Sequence, residues 1–288
     1  MAQSKLVGLE AAAALVCDEE TLALGGNLLH RAPNAFAREL ARQGRRDLHL
    51  IKTAGAYDVD LLCAAGCVGA VSAGFIGFEN EFGLAPNYRR AVEQGRVEAR
   101  EHACYSAIMS LRAAAFGVPF LPLAGFQGSD LPAVRGFKTV SDPYSGEQIL
   151  TVPRIQPDWA VLHVALADAQ GNARIEGTEF EDVLMSRAAR GVIVTAERIA
   201  EPGELEQRPE LQKIPGFLVA AVALVPRGAW PGTCYPLYDY DAAAVRDYLA
   251  RAGEQASLAA YLEEMAARDR GLVTVGSHSP VPSLPYTT

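Results

Sequence analysis

One alternation dominates the sequence. Short apolar runs of strand character are followed repeatedly by stretches of helical period, with glycine or proline at the joints. Residues 21–25 (TLALG), 47–52 (DLHLIK), 68–78, 96–99, 148–153, 158–166 (DWAVLHVAL), 191–197 (GVIVTAE) and 217–225 read as extended. Residues 4–16, 32–43, 58–65, 84–94, 103–116, 179–190, 241–253 and 255–268 read as helical. Near-continuous apolar strands belong to a sheet covered on both faces, because a strand with one wet face alternates in polarity. Strand–helix units of this kind build a three-layer α/β/α arrangement around an open, largely parallel sheet.

The joints fit this reading. Pro33 sits in the first turn of the 32–43 helix, where a missing N–H costs nothing. Gly66, Gly117 and Gly191 stand where helices should stop. Residues 121–142 and 226–240 read as loops. Residues 1–270 are expected to form one domain, with 125–157 as a flap or small subdomain. Residues 271–288, with Pro280, Pro282 and Pro285, are expected to be an extended or disordered tail.

Half of the 288 residues are apolar, enough for a sizeable core. A net charge of −8 argues against a nucleic-acid partner, which needs a positive face. No uninterrupted run of 18 apolar residues exists, so no membrane span is expected. The apolar patch near the start is broken by Glu10 and followed by acids at Asp18 to Glu20, unlike a signal peptide; the expectation is a cytoplasmic protein. Cys17, Cys63, Cys67, Cys104 and Cys234 form no CxxC and read as small buried residues. The five histidines show no HExxH or paired spacing, so no metal is expected, and His163 reads as a core residue. No GxSxG elbow is present.

Four segments carry candidate chemistry. In residues 22–36 a strand runs into Gly25-Gly26-Asn27 and a helix follows. Glycines at the carboxyl end of a parallel strand let backbone N–H groups approach a ligand. In residues 72–102 a glycine-punctuated strand ends at Glu79-Asn80, and Glu98 and Glu101 follow on the next. A carboxylate at a strand end can act as nucleophile or base. Residues 121–147 are rich in loop formers, as an active-site lid or an intersubunit contact would be. In residues 163–182, Gly171-Asn172 reads as a tight turn after Asp168.

In their order these segments resemble the A-type subunits of class I coenzyme A transferases, especially the glutaconate CoA-transferase type. The resemblance runs over the GGNxxxRxP loop (Gly25, Gly26, Asn27, Arg31, Pro33), DLLCAAGCVGAVSAGFIGFEN, APNYRRAVEQGRVEAREH, RAAAFGVPFLP, GSD at 128–130 and HVALADAQGNARIEG. It implies the three-layer fold shared with sugar-phosphate isomerases. It implies transfer of CoA between an acyl-CoA and a carboxylic acid through a glutamyl-CoA thioester, with no permanently bound cofactor. The nucleophilic glutamate of this family belongs to a B-type partner subunit, so a hetero-oligomer is implied. The resemblance gives Gly25, Gly26, Asn27 and Arg31 a wall of the pocket with an oxyanion-type role. Phe75, Phe78, Asn80, Gly125, Phe126, Ser129 and Asp130 are then expected to line the acyl and CoA pocket. Glu79 and Glu101 are the carboxylates of this chain with a catalytic prospect. A runner-up is a ring-opening acyl-CoA hydrolase subunit of steroid breakdown, whose A-type chain carries a glutamate just after the strand at 96–101; here Ala103 and Cys104 stand there. A ligand-binding or regulatory α/β protein is a third reading.

Overall fold

The computed structural model describes residues 4–126 and 128–276. The chain begins with β1 (Leu6–Val7), α1 (Leu9–Ala13), β2 (Thr21–Leu24), α2 (Asn34–Gln43), β3 (Leu48–Gly55), α3 (Tyr57–Ala64) and β4 (Val68–Ile76). It continues through α4 (Glu79–Phe82), α5 (Pro86–Glu93), β5 (Glu98–Glu101), α6 (Cys104–Ala115), β6 (Phe120–Pro122), α7 (Leu131–Val134), β7 (Lys138–Ser141) and β8 (Gln148–Pro153). It ends with β9 (Trp159–Ala167), β10 (Ala173–Arg174), α8 (Asp182–Ala188), β11 (Gly191–Ile199), β12 (Gln212–Ile214), β13 (Val219–Leu224), α9 (Ala242–Arg251) and α10 (Gln255–Gly276).

Strands in the order β1-β13-β11-β9-β2-β3-β4-β5 form one parallel sheet, with the short β10 and β12 added antiparallel beyond β9. Alternation along each strand sorts the core into two layers. Leu22, Leu24, Leu48 and Leu50 pack under α2 and α3, whereas Ala23 and Ile51 share the other layer with Leu111 of α6 and Met185 of α8. The two helical layers and the sheet give the α/β/α architecture read from the sequence.

Several elements differ from the sequence reading, each because pairing or burial decided what local pattern could not. Leu6–Val7 is a strand, not helix, because it adds to the edge strand β13. Helix α1 is accordingly only five residues long. The stretch read as loop from 121 contains β7, which pairs with β8, and β8 pairs with β6 in a small antiparallel sheet. All four residues of β7 are exposed, so they carry no periodic signal. Strand β3 runs three residues beyond 52, to Gly55. Lys52 hides that continuation, because a lysine in mid-strand reads as an end; here it is fully buried against Asp58. Gly191 does not stop a helix. It opens β11, where a Cβ would meet the Trp159 ring at 2.6 Å. Helix α10 continues to Gly276, past the position where a tail was expected; residues 277–288 lie outside the described residues.

Candidate active site at the strand switch point

From β2 the chain adds β3, β4 and β5 outward on one side. It then returns to lay β9 against the other side of β2 and adds β11 and β13 beyond. Helix α2, which follows β2, packs in one layer, whereas α8, which follows β9 and its β10 hairpin, packs in the other, and the carboxyl edge beside such a reversal is where open α/β sheets bind ligands. The loop of residues 25–31 begins there, with the Gly25 amide 2.9 Å from the Val161 carbonyl.

This loop is tied down at nearly every amide. Gly26 N–H donates to Asp182 Oδ1 at 2.7 Å. Asn27 and His30 exchange backbone hydrogen bonds at 2.8 Å, Leu28 donates to Ala54 O at 3.0 Å, and Arg31 donates to Thr233 O at 2.7 Å. The expectation that the backbone N–H groups of Gly25, Gly26 and Asn27 face a ligand is therefore corrected: the protein consumes them. The glycines serve internal closeness instead. A Cβ on Gly25 would meet Leu162 at 2.8 Å, and one on Gly26 would meet His30 O at 2.3 Å at a backbone φ of +69°. What the loop leaves unused is the Asn27 carboxamide, half-exposed and without a side-chain hydrogen bond among the described residues.

Arg31 does not offer its guanidinium to a ligand either. It is buried, paired with Asp182, and donates to His163 O at 3.0 Å and Thr178 O at 2.8 Å. It fastens the loop to α8 and β9.

Polar groups gather beside the loop. Thr53 of β3 donates to Glu181 at 2.7 Å, and its carbonyl accepts from the Cys104 thiol at 3.4 Å. Burial, and then the charge of Glu181, raise the Cys104 pKa, so the thiol stays protonated at neutral pH. Glu79 lies 3.7 Å from His30 Nε2 at the exposed rim, and the His30 ring is 6.2 Å from that of Phe180. Asn80 beside it is exposed.

Along the β4–β5 side a groove of about 390 Å³ is lined by Phe75, Leu84, Tyr88, Glu101, His102 and Leu131, among others. It brings together two residues singled out in the sequence, Phe75 and Glu101. Phe78 is corrected: it is fully buried, its ring 6.0 Å from that of Tyr248. Phe126 packs on Met109, Leu123 and Val152, and Ser129 Oγ accepts from the Leu131 amide at 3.2 Å. Gly125 and Asp130 are exposed, and Leu131 is the residue of this segment that reaches the groove. His102, on the groove wall, is pushed down to about 4 by burial and by Arg135; His49 is pushed down to about 4 by burial and by Arg100.

Sequence reasoning missed Lys52, Asp182, Glu181 and the group His163–Glu197–Cys234. These last three are the one set of metal-capable side chains found close together among the described residues, all buried. Their spacing along the chain gives no sign of it. The imidazole and carboxylate are already satisfied, by one another, by Thr195, by Tyr238 and by the Arg227 amide. The cysteine expectation is corrected in part, since Cys17 and Cys104 are exposed.

A mostly parallel sheet whose strand order reverses beside a fastened glycine loop defines an open α/β protein with a ligand-type edge at that reversal. The chain belongs to the coenzyme A transferase family, whose model matches residues 8–224. It is 35% identical over 266 residues to an uncharacterized protein of Archaeoglobus fulgidus, covering 92% of this chain but only 59% of that one. It is 35% identical to the A-type subunit of glutaconate CoA-transferase of Acidaminococcus fermentans, covering 83% of this chain and 80% of that one. It is 31% identical to the cholesterol ring-cleaving hydrolase IpdA subunit of Mycobacterium tuberculosis, over 87% of this chain and 89% of that one. Among solved structures, glutaconate coenzyme A-transferase from Acidaminococcus fermentans superposes with a TM-score of 0.84 at 34% identity, over 91% of this chain and 88% of that one. The decarboxylase AibA/AibB superposes with a TM-score of 0.84 at 35% identity, over 93% and 100%.

Proposed function

We propose that this chain is the A-type subunit of a heteromeric CoA transferase, moving CoA between an acyl-CoA and a carboxylic acid, with the attacking glutamate supplied by a B-type partner. The observation that carries the reading is the loop at the switch point. It is fastened as a unit, yet leaves the Asn27 carboxamide unpaired at the carboxyl edge. A carboxamide N–H fixed at this place can donate to a carbonyl oxygen as it gains charge, the kind of stabilisation acyl transfer needs. Of the carboxylates beside the loop, Glu79 lies 3.7 Å from His30 Nε2 and Glu181 accepts from Thr53. The likeness to A-type subunits of CoA transferases is what supports assigning the nucleophile to the second chain. Phe75, Tyr88 and Leu131 then supply apolar groove wall for the acyl chain, with Glu101 at its rim.

The test reconstitutes the chain with a B-type CoA-transferase subunit. An acyl-CoA is added, the adduct is trapped with borohydride or hydroxylamine, and both chains are mapped by mass spectrometry. A modified glutamate on the partner, and no turnover by the isolated chain, is expected. Rapid turnover by this chain alone overturns the reading. CoA release with no acceptor acid and no adduct would replace it with a hydrolase.

A further inference from the structure

The carbonyl of Gly25 and the amide of Gly26 belong to one peptide group, and each end of that group is held by a buried charge. Lys52 Nζ donates to Gly25 O at 2.9 Å, and Gly26 N–H donates to Asp182 Oδ1 at 2.7 Å. Lys52 and Asp182 are both fully buried. They come from opposite faces of the sheet, one from β3 toward the α2–α3 layer and one from the first turn of α8. Each is neutralised by a second buried partner, Lys52 by Asp58 and Asp182 by Arg31.

Burying two ion pairs is costly, and stability alone is served as well by apolar packing. What the arrangement gives is direction. A trans peptide has its C=O and N–H pointing opposite ways, so a cation at one end and an anion at the other fix its plane and leave it no second orientation. Asn27 is the next residue; with Gly26 held at φ +69° and the Asn27 backbone paired to His30, the held Gly25–Gly26 peptide anchors the position from which its side chain leaves the loop. We propose that Lys52 and Asp182 are positioning residues, a two-sided electrostatic clamp that holds the Asn27 carboxamide at the reaction site. This rests on the reading that the loop lines that site.

The test uses the reconstituted heteromer. Arg31→Met/Asp182→Ala removes the anionic jaw together with its counter-ion, so no lone charge stays buried. The expected result is a fall in kcat of about a hundredfold per assembled heteromer, with KM for acyl-CoA changed less than about threefold. Arg31→Met/Asp182→Asn keeps an oxygen for the Gly26 amide and should recover most of the lost kcat. Unchanged kcat in the double variant, whatever its melting temperature, overturns the clamp. If the double variant does not assemble, amide exchange at Gly26 in the wild-type heteromer decides: strong protection upholds the clamp, and exchange at the rate of an open loop overturns it. Asn27→Ala separates the two ideas. Full activity there sinks the site reading, whereas an inactive Asn27→Ala beside fully active clamp variants sinks the clamp alone.

Discussion

His163 Nε2 donates to Glu197 Oε1 at 2.7 Å between neighbouring strands of the parallel sheet, and the same carboxylate accepts from the Tyr238 hydroxyl and, at 2.6 Å, from the Arg227 amide. One buried acid therefore joins β9 and β11 to the segment 226–240, which in turn meets the 25–31 loop through Thr233.

Glu197→Ala is expected to strand three donors in the interior and to destabilise the chain by about 3 kcal/mol. The loss should be visible as a lower melting temperature and as earlier proteolytic cleavage within 226–240. A variant as stable and as resistant as wild type would refute the strut.

Gly26→Ala is expected to injure folding before it touches chemistry. Its Cβ meets the loop's own backbone at 2.3 Å, at φ +69°. The left-handed conformation alone costs roughly 1–2 kcal/mol for a residue with a Cβ. Calorimetry of the purified chain should show a melting temperature lower by several degrees; Gly44→Ala, at φ +68° with open space around it, should lose less.

Asn27→Ala in the reconstituted enzyme is expected to lower kcat by about 10²-fold, the usual loss for one oxyanion donor. KM for acyl-CoA should move little. Steady-state kinetics with the acyl-CoA at saturation measures both.

Stability should fall on acidification between about pH 6.5 and pH 4. His49 and His102 are held near 4 by burial and neighbouring arginines, so the unfolded chain binds protons first in that window. Above the unfolded value neither state is protonated there, and the contribution is complete. His49→Gln/His102→Gln should flatten the slope of melting temperature against pH across this range. An unchanged slope would place the acid sensitivity elsewhere.

The layers, the parallel sheet and the glycine loop were legible because they follow from period and from turn chemistry: β9 is apolar along almost its whole length, and Gly25-Gly26 ends a strand. The residues that hold the loop were not. Lys52 looks like a strand terminus, and Asp182 looks like an ordinary acid at a helix start. Their roles exist only once segments 156 residues apart in the Gly26–Asp182 case are brought together. Phe78 was misread for the converse reason. A phenylalanine after a glycine-rich strand looks available for a ligand, but α9 covers it with Tyr248. Of the small sheet, β8 was legible as a strand, whereas β7 was not, because it is wet on both sides and owes its conformation to β8.

The position of β9 beside β2 also has a consequence for how the protein is made. Strands β2 to β5 can pair with one another as they leave the ribosome, but the carboxyl end of β2 lacks its neighbour until more than half the chain has emerged. Asp182 follows later still. Nascent chains truncated before α8 should therefore carry a loop with no anchor for Gly26, so the glycine loop is among the last parts to mature.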